Sequence, residues 1–395
     1  MTNLRSIIFF LLASWCIYNV SPIMWKTYNF LTLFDHDVIV DNFRNVDKWG
    51  IDFNTAGEET DLFLNRSQNL ALPISFIYNN KTMNLTKWLE DYWTTGLIVL
   101  NISNTTSANI IFENYYLGNN NKSKTISWSM GKSITSALVG IAVDRQEIKS
   151  INQTVREYLP HFAGSAYGDV TIENLLRMSS GIKFDENYFN IFSDINMFGL
   201  YMIFDWSLET LLMALPKKYE QGTRFNYISS DTQMLGLVLM AATKTSLTDY
   251  FQKHLMTSNK ISWLKSGNQE LAFGTIFARL EYYATFGWLY LNNGKSPLDN
   301  KQLISESWIK KSTTSSIQEK SLLIGYGYQW WLPIDNCDDD FMAIGVYNQF
   351  IYVSRKYGIV IAKSSAYAYY EKNPIESELI AVSAFKKIAK YYGEK

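Results

Sequence analysis

A serine and a lysine three residues apart can act as a nucleophile and its base, and Ser129 and Lys132 stand in that relation. On a helix, residues i and i+3 share a face, so hydroxyl and amine can meet. A lysine in a partly buried pocket loses proton affinity through desolvation, and its neutral amine can then accept the serine proton. The start of a helix adds backbone N–H groups and partial positive charge where negative charge would develop. The spacing alone does not select Ser129. It recurs at Ser180–Lys183, Ser262–Lys265, Ser307–Lys310 and Ser383–Lys386. Context separates them: only Ser129 opens a long, small-residue apolar helix after strand-like runs and a polar link. Ser180 reads as a helix end, Ser262 and Ser307 lie beside tryptophans in peripheral segments, and Ser383 is deep in an amphipathic terminal helix.

Two further elements follow in the chain. Phe225-NYISSDTQMLG puts Tyr227 and Ser229 in a turn before an apolar helix. A tyrosine held near a lysine ammonium has its pKa lowered and can serve as a phenolate or proton shuttle. Phe341-MAIGVYNQFIYV then brings Gly345 and Val346 to a strand edge. A glycine there lets a substrate carbonyl approach backbone N–H groups. The Val346 N–H, paired with that of Ser129, could form an oxyanion hole.

Other chemistries are less well served. The three histidines, His36, His161 and His254, are far apart in sequence, and neither they nor Cys16 and Cys337 have metal-ligand spacing, so no metal and no organic cofactor is expected. A Ser-His-Asp triad needs only one histidine, but no G-x-S-x-G elbow supports it. With 36 basic against 37 acidic residues, nothing attracts a phosphate backbone, and a nucleic-acid partner is not expected. Hydrophobic residues at 47 % and charged residues at 18 % are enough for a sizeable core.

The elements that must hold these residues can be read in outline. Gly96-LIVLNI and Asn109-IIFENYYLG predict a hairpin, as do Gln349-FIYVS and Gly358-IVIAKSS. Trp128-SMGKSITSALVGIAVD has helical spacing, and Pro374-IESELIAVSAFKKIAKYY predicts a helix with proline at its start. Strands at both ends with helices between predict an α+β fold: a sheet from about 91–125 and 320–395, and a mainly helical part over about 126–319. Residues 24–90 read as a loop-rich extension before a catalytic domain over 91–395. Arg5 and the apolar run Ser6-IIFFLLASWCIYNV predict that residues 1–23 are an export signal or an uncleaved membrane anchor, and hence a periplasmic or membrane-attached protein.

Taken in this order, the three elements resemble the serine β-lactamase and penicillin-binding-protein superfamily. The nearest branch is that of class C β-lactamase-related serine hydrolases, which include esterases and 6-aminohexanoate-dimer hydrolases. The resemblance covers roughly residues 95–390. It extends to Asp169-VTIENLLRMSSGIKF, Gly222-TRFNYISSDTQMLG, Ala284-TFGWLYLNNG and Tyr326-GYQWW. It implies a β-lactamase/transpeptidase-like fold, an antiparallel sheet flanked by helices with an inserted helical domain. It implies Ser129 as the acylated nucleophile, Lys132 as its proton partner, and Tyr227 as the residue that works with that lysine and protonates the leaving group. Gly345 and Val346 fall at the motif that supplies an oxyanion N–H, and Tyr188 falls where the 6-aminohexanoate-dimer branch keeps a substrate-contacting tyrosine. Two departures stand out. Ser229 replaces the asparagine of Tyr-x-Asn, and Ala343 replaces the Lys or His two residues before the glycine. That cation commonly meets the carboxylate of β-lactams, so its loss points to a less anionic ester or amide as small-molecule substrate. The alternatives are a DD-peptidase or β-lactamase acting on cell-wall peptides or antibiotics, and a non-catalytic binding module that keeps the fold.

Overall fold

The structure is a computed structural model that describes residues 20–59, 64–66, 69–104, 107–188, 190–255, 259–297, 299–314, 324–333 and 339–395. Most of the expected export or anchor segment, and both cysteines, lie outside those residues. Among the described residues, no helix is long and apolar enough to cross a membrane, and no group of His, Cys, Asp and Glu could hold a metal ion.

The architecture is α+β. An eight-stranded sheet joins the two ends of the chain: Ile359–Ser365 pairs antiparallel with Thr94–Asn104, with Ile361 opposite Val99. Both expected hairpins form, as Thr94–Asn104 with Ser107–Tyr115 and as Gln349–Ser354 with Ile359–Ser365. Alternation along these strands feeds two cores. Leu97, Val99, Ile359 and Ile361 face one way, packing with Ile380, Phe385 and Ile388 of the terminal helix Pro374–Gly393. Ile98, Leu100, Val360 and Ala362 face the other way, into the larger core. This is the period-2 burial of a sheet covered on both faces.

The middle of the chain is less purely helical than its composition predicts. Asn259–Ser266 and Ile276–Arg279 form a second sheet with Lys124–Ile126 and with Phe53–Glu59. The segment before residue 91 is built into the same body: Ile39, Phe43, Val46 and Trp49 are buried in the larger core.

Helix Gly131–Asp144 runs through the centre, buried from Gly131 to Ala142. Its small polar residues are what let it lie there. Ser133 Oγ donates to the Gln329 carbonyl (2.6 Å), Thr135 Oγ1 to the Ala272 carbonyl (2.6 Å) and Ser136 Oγ to the Tyr328 carbonyl (2.9 Å). Each bond satisfies a loop carbonyl that would otherwise be buried without a partner.

Candidate active site

Ser129 lies in a short 3-10 turn, Trp128–Met130, that leads into helix Gly131–Asp144. The tighter winding brings residues three apart nearly into line. Lys132 Nζ is 3.0 Å from Ser129 Oγ. The turn is held from below. Ser127 N–H donates to the Ile276 carbonyl (2.7 Å), and Ser127 Oγ accepts from the Ile276 N–H (3.1 Å). Trp128, directly before Ser129, has φ of +44°, an uncommon conformation for a bulky side chain. A Cβ on Gly274 would lie 2.8 Å from the Trp128 carbonyl oxygen, so only glycine lets that loop back the turn.

Lys132 is 1 % exposed. Its amine also meets Ser229 Oγ at 2.9 Å and donates to the Phe273 carbonyl at 3.0 Å. Burial is the larger influence and brings its pKa down to about 8, while the charge of Glu186 works the other way. At neutral pH an appreciable share of the amine is therefore unprotonated and able to accept a proton.

Tyr227 approaches from the turn before helix Ser229–Thr243. Its ring centroid lies 5.0 Å from Lys132 Nζ, its hydroxyl interacts with Ser129, and its ring packs on Trp331 at 5.2 Å. Here the structure corrects an expectation. Burial pushes the Tyr227 pKa up, and Glu186 and Glu378 add to that, so the group is a protonated phenol rather than a phenolate.

Ser229 differs from expectation in its surroundings. It is the first residue of its helix, fully buried, and its hydroxyl is shared between Lys132 and Glu186 Oε1 (2.5 Å), so it does not line the cleft. Glu186 was not singled out by the sequence. It accepts from the Ser229 N–H (2.7 Å) and from the Tyr188 hydroxyl (2.8 Å), and so links the tyrosine, the serine and the lysine in one network. One of 37 acidic residues, 43 positions before its partner, carries no local signature. The Phe273 carbonyl, a backbone group, has none either.

Gly345 ends strand Asp340–Gly345, and a Cβ there would lie 2.5 Å from the Ser127 carbonyl oxygen. Its lack of a side chain lets the strand end abut the turn that carries Ser129. Val346 and Ser129 then line one apolar cleft, with Tyr188, Trp128 and Phe273 in its walls. Ala343 is buried in the strand interior, and among the described residues that line the cleft there is no arginine or lysine. Residues 20–31 form a helix that closes one side, giving Phe30 and, just beyond it, Leu33 and Phe34 to the lining. Ser262 sits on a strand bonded to Thr55 Oγ1, and Ser307 and Ser383 lie within helices, so these serines are not brought to the cleft.

The chain matches the family "Beta-lactamase" over residues 102–384. It is 21 % identical over 306 residues to the 6-aminohexanoate-dimer hydrolase of Paenarthrobacter ureafaciens, covering 72 % of this chain and 75 % of the relative. A solved structure from Bacillus anthracis, provisionally named a 6-aminohexanoate-dimer hydrolase, superposes with a TM-score of 0.77 at 19 % identity, covering 90 % of this chain and 95 % of that one. A penicillin-binding-protein homologue from Pyrococcus abyssi gives 0.55 at 16 % identity, covering 77 % of each chain. At these identities the solved structures establish the fold alone.

Proposed function

The chain belongs to the beta-lactamase family, a family of hydrolases, and we propose that it is a serine hydrolase cleaving an ester or amide bond through an acyl-enzyme on Ser129. The observation that carries this reading is the buried Lys132 amine, 3.0 Å from Ser129 Oγ with its pKa brought down to about 8. The neutral amine takes the serine proton as Oγ attacks the carbonyl carbon. The N–H groups of Ser129 and Val346 receive the developing oxyanion. The protonated Tyr227 gives its proton to the leaving alcohol or amine and is reprotonated from Lys132. Water then attacks the acyl-enzyme, its proton passing to the same pair and on to Ser129 Oγ as the acyl–Oγ bond breaks, and the acid leaves.

The apolar cleft, with Ala343 where the family resemblance implies a Lys or His, favours an uncharged or weakly anionic acyl group. The name of the P. ureafaciens relative makes an amide a reasonable first substrate to try. The test is labelling by a fluorophosphonate and turnover of p-nitrophenyl acetate, on wild type and Ser129→Ala. Labelling should vanish and turnover should fall by roughly a thousandfold or more. Turnover that survives the substitution refutes the scheme. A fluorescent penicillin that labels Ser129 efficiently would instead favour the DD-peptidase or β-lactamase alternative.

A further inference from the structure

The two lips of the cleft expose apolar side chains on their outer faces. Helix 20–31 turns Phe30, and beyond it Leu33 and Phe34, inward, where Phe34 stacks on Tyr347 at 4.6 Å. Its outer stripe, at four- and three-residue spacing, is Val20, Met24, Tyr28 and Leu31, all exposed, Met24 at 65 %. A solvent-facing stripe on a surface helix is ordinarily polar. Packed against it is helix Asp194–Ile203, which lines the cleft with Ile195, Phe198 and Met202. The loop before it exposes Ile191 and Phe192, the latter at 86 %, and the turn after it exposes Phe204 and Trp206.

The lips form one rim. Lys26 Nζ pairs with Asp205 Oδ2 at 2.8 Å. Phe30 lies so close over Gly199 that a Cβ there would be 2.0 Å from its ring. Isolated exposed apolar residues are ordinary, but a patch that borders a ligand cleft marks a docking surface. The chain on the far side of Val20 says what docks. Residues 1–19 lie outside the described residues, and their sequence is Arg5 followed by Ser6-IIFFLLASWCIYN, an apolar run that leads straight into the exposed helix. A bilayer that takes up this run draws the exposed stripe of the next residues to its surface. Tryptophan and tyrosine, present on the rim as Trp25, Tyr28 and Trp206, suit the zone between acyl chains and headgroups.

We propose that the mouth of the cleft rests on a lipid bilayer, and that the substrate is an acyl ester or amide drawn from the lipid phase, hydrolysed by water to the acid and its alcohol or amine. This rests on the hydrolase reading above. It adds where the substrate comes from.

The experiment uses the full chain and two esters, p-nitrophenyl acetate in water and p-nitrophenyl palmitate in phosphatidylcholine–phosphatidylglycerol vesicles. Met24→Asp with Phe192→Asp should lower the vesicle-borne rate about tenfold or more and leave the acetate rate within about twofold. A readout without turnover accompanies it. A polarity-sensitive fluorophore on Phe192→Cys, with Cys16 and Cys337 replaced by serine, should shift to the blue on vesicles and be quenched by nitroxide lipids. An unchanged vesicle rate, equal losses on both esters, or a label that does not shift overturns the proposal. So does a dimer in light scattering that the double substitution dissociates while the vesicle rate holds, which would give the patch to a second copy. Acetate turnover that survives Ser129→Ala defeats the hydrolase reading, and the fluorophore reports on docking regardless.

Discussion

Lys132 is under two opposed influences, burial that favours the neutral amine and the Glu186 carboxylate that favours the charged one. Burial is the larger. In the proposed scheme Lys132 must be neutral to accept the Ser129 proton, so kcat/KM should rise with pH, with unit slope on a logarithmic plot below about 8 and a plateau above it. The raised pKa of Tyr227 keeps its phenol protonated across that range. Glu186→Gln removes the influence that holds the lysine pKa up, so the midpoint should move to lower pH. The same change weakens the anchor of Ser229, and kcat should fall. Glu186 is thus a positioning residue. A midpoint that stays put or moves upward in the Glu186→Gln profile would show that its charge does not act on Lys132.

Helix Gly131–Asp144 works by lying close to its neighbours. Its carrying end is fixed by Ser133, Thr135 and Ser136, and its far end by Trp308 of helix Glu306–Ser312. A Cβ at Gly140 would come 2.4 Å from Trp308 Nε1. Gly140→Val should therefore force the two helices apart and cost about 1–3 kcal/mol, read as a lowered midpoint in urea unfolding. A wild-type midpoint would mean that Trp308 yields freely. The hairpins and the terminal helix were legible because each is a local pattern of alternating or helical burial. The pairing of Phe53–Glu59 with Asn259–Ser266 was not, since the strands lie some two hundred residues apart and neither shows its partner.

At the scale of the whole molecule, the terminal helix and the sheet enclose a second buried lysine. Lys363 is fully buried between Trp88, 5.2 Å from its amine, and Ser365 Oγ, to which it donates. Burial brings its pKa down to about 7. In the unfolded chain the amine titrates near 10.5. Between pH 7 and 10.5 the unfolded state thus binds more protons, and stability from this group rises with pH; below pH 7 its burial cost is at its full value. Lys363→Met should be more stable than wild type at pH 6, by on the order of 1 kcal/mol or more, with the difference shrinking by pH 9. Urea midpoints at the two pH values test this. Equal midpoints at both would refute it.

The sequence by itself determined the α+β class, the pairing of Ser129 with Lys132, and the order Ser129, Tyr227, Gly345, because those rest on short spacings and local burial patterns. It also singled out Ala343 as standing where the family resemblance implies a cation. Only the tertiary structure decided the rest. Glu186 joins Ser229 and Lys132 through contacts between distant segments. The charge state of Tyr227 depends on how deeply it is buried. The helix over residues 20–31 becomes a cleft wall only because Phe30 meets Gly199, nearly 170 residues away. Spacing fixes which side chains share a face, whereas the dielectric and the partners around each one are set by whatever segment the fold brings against it.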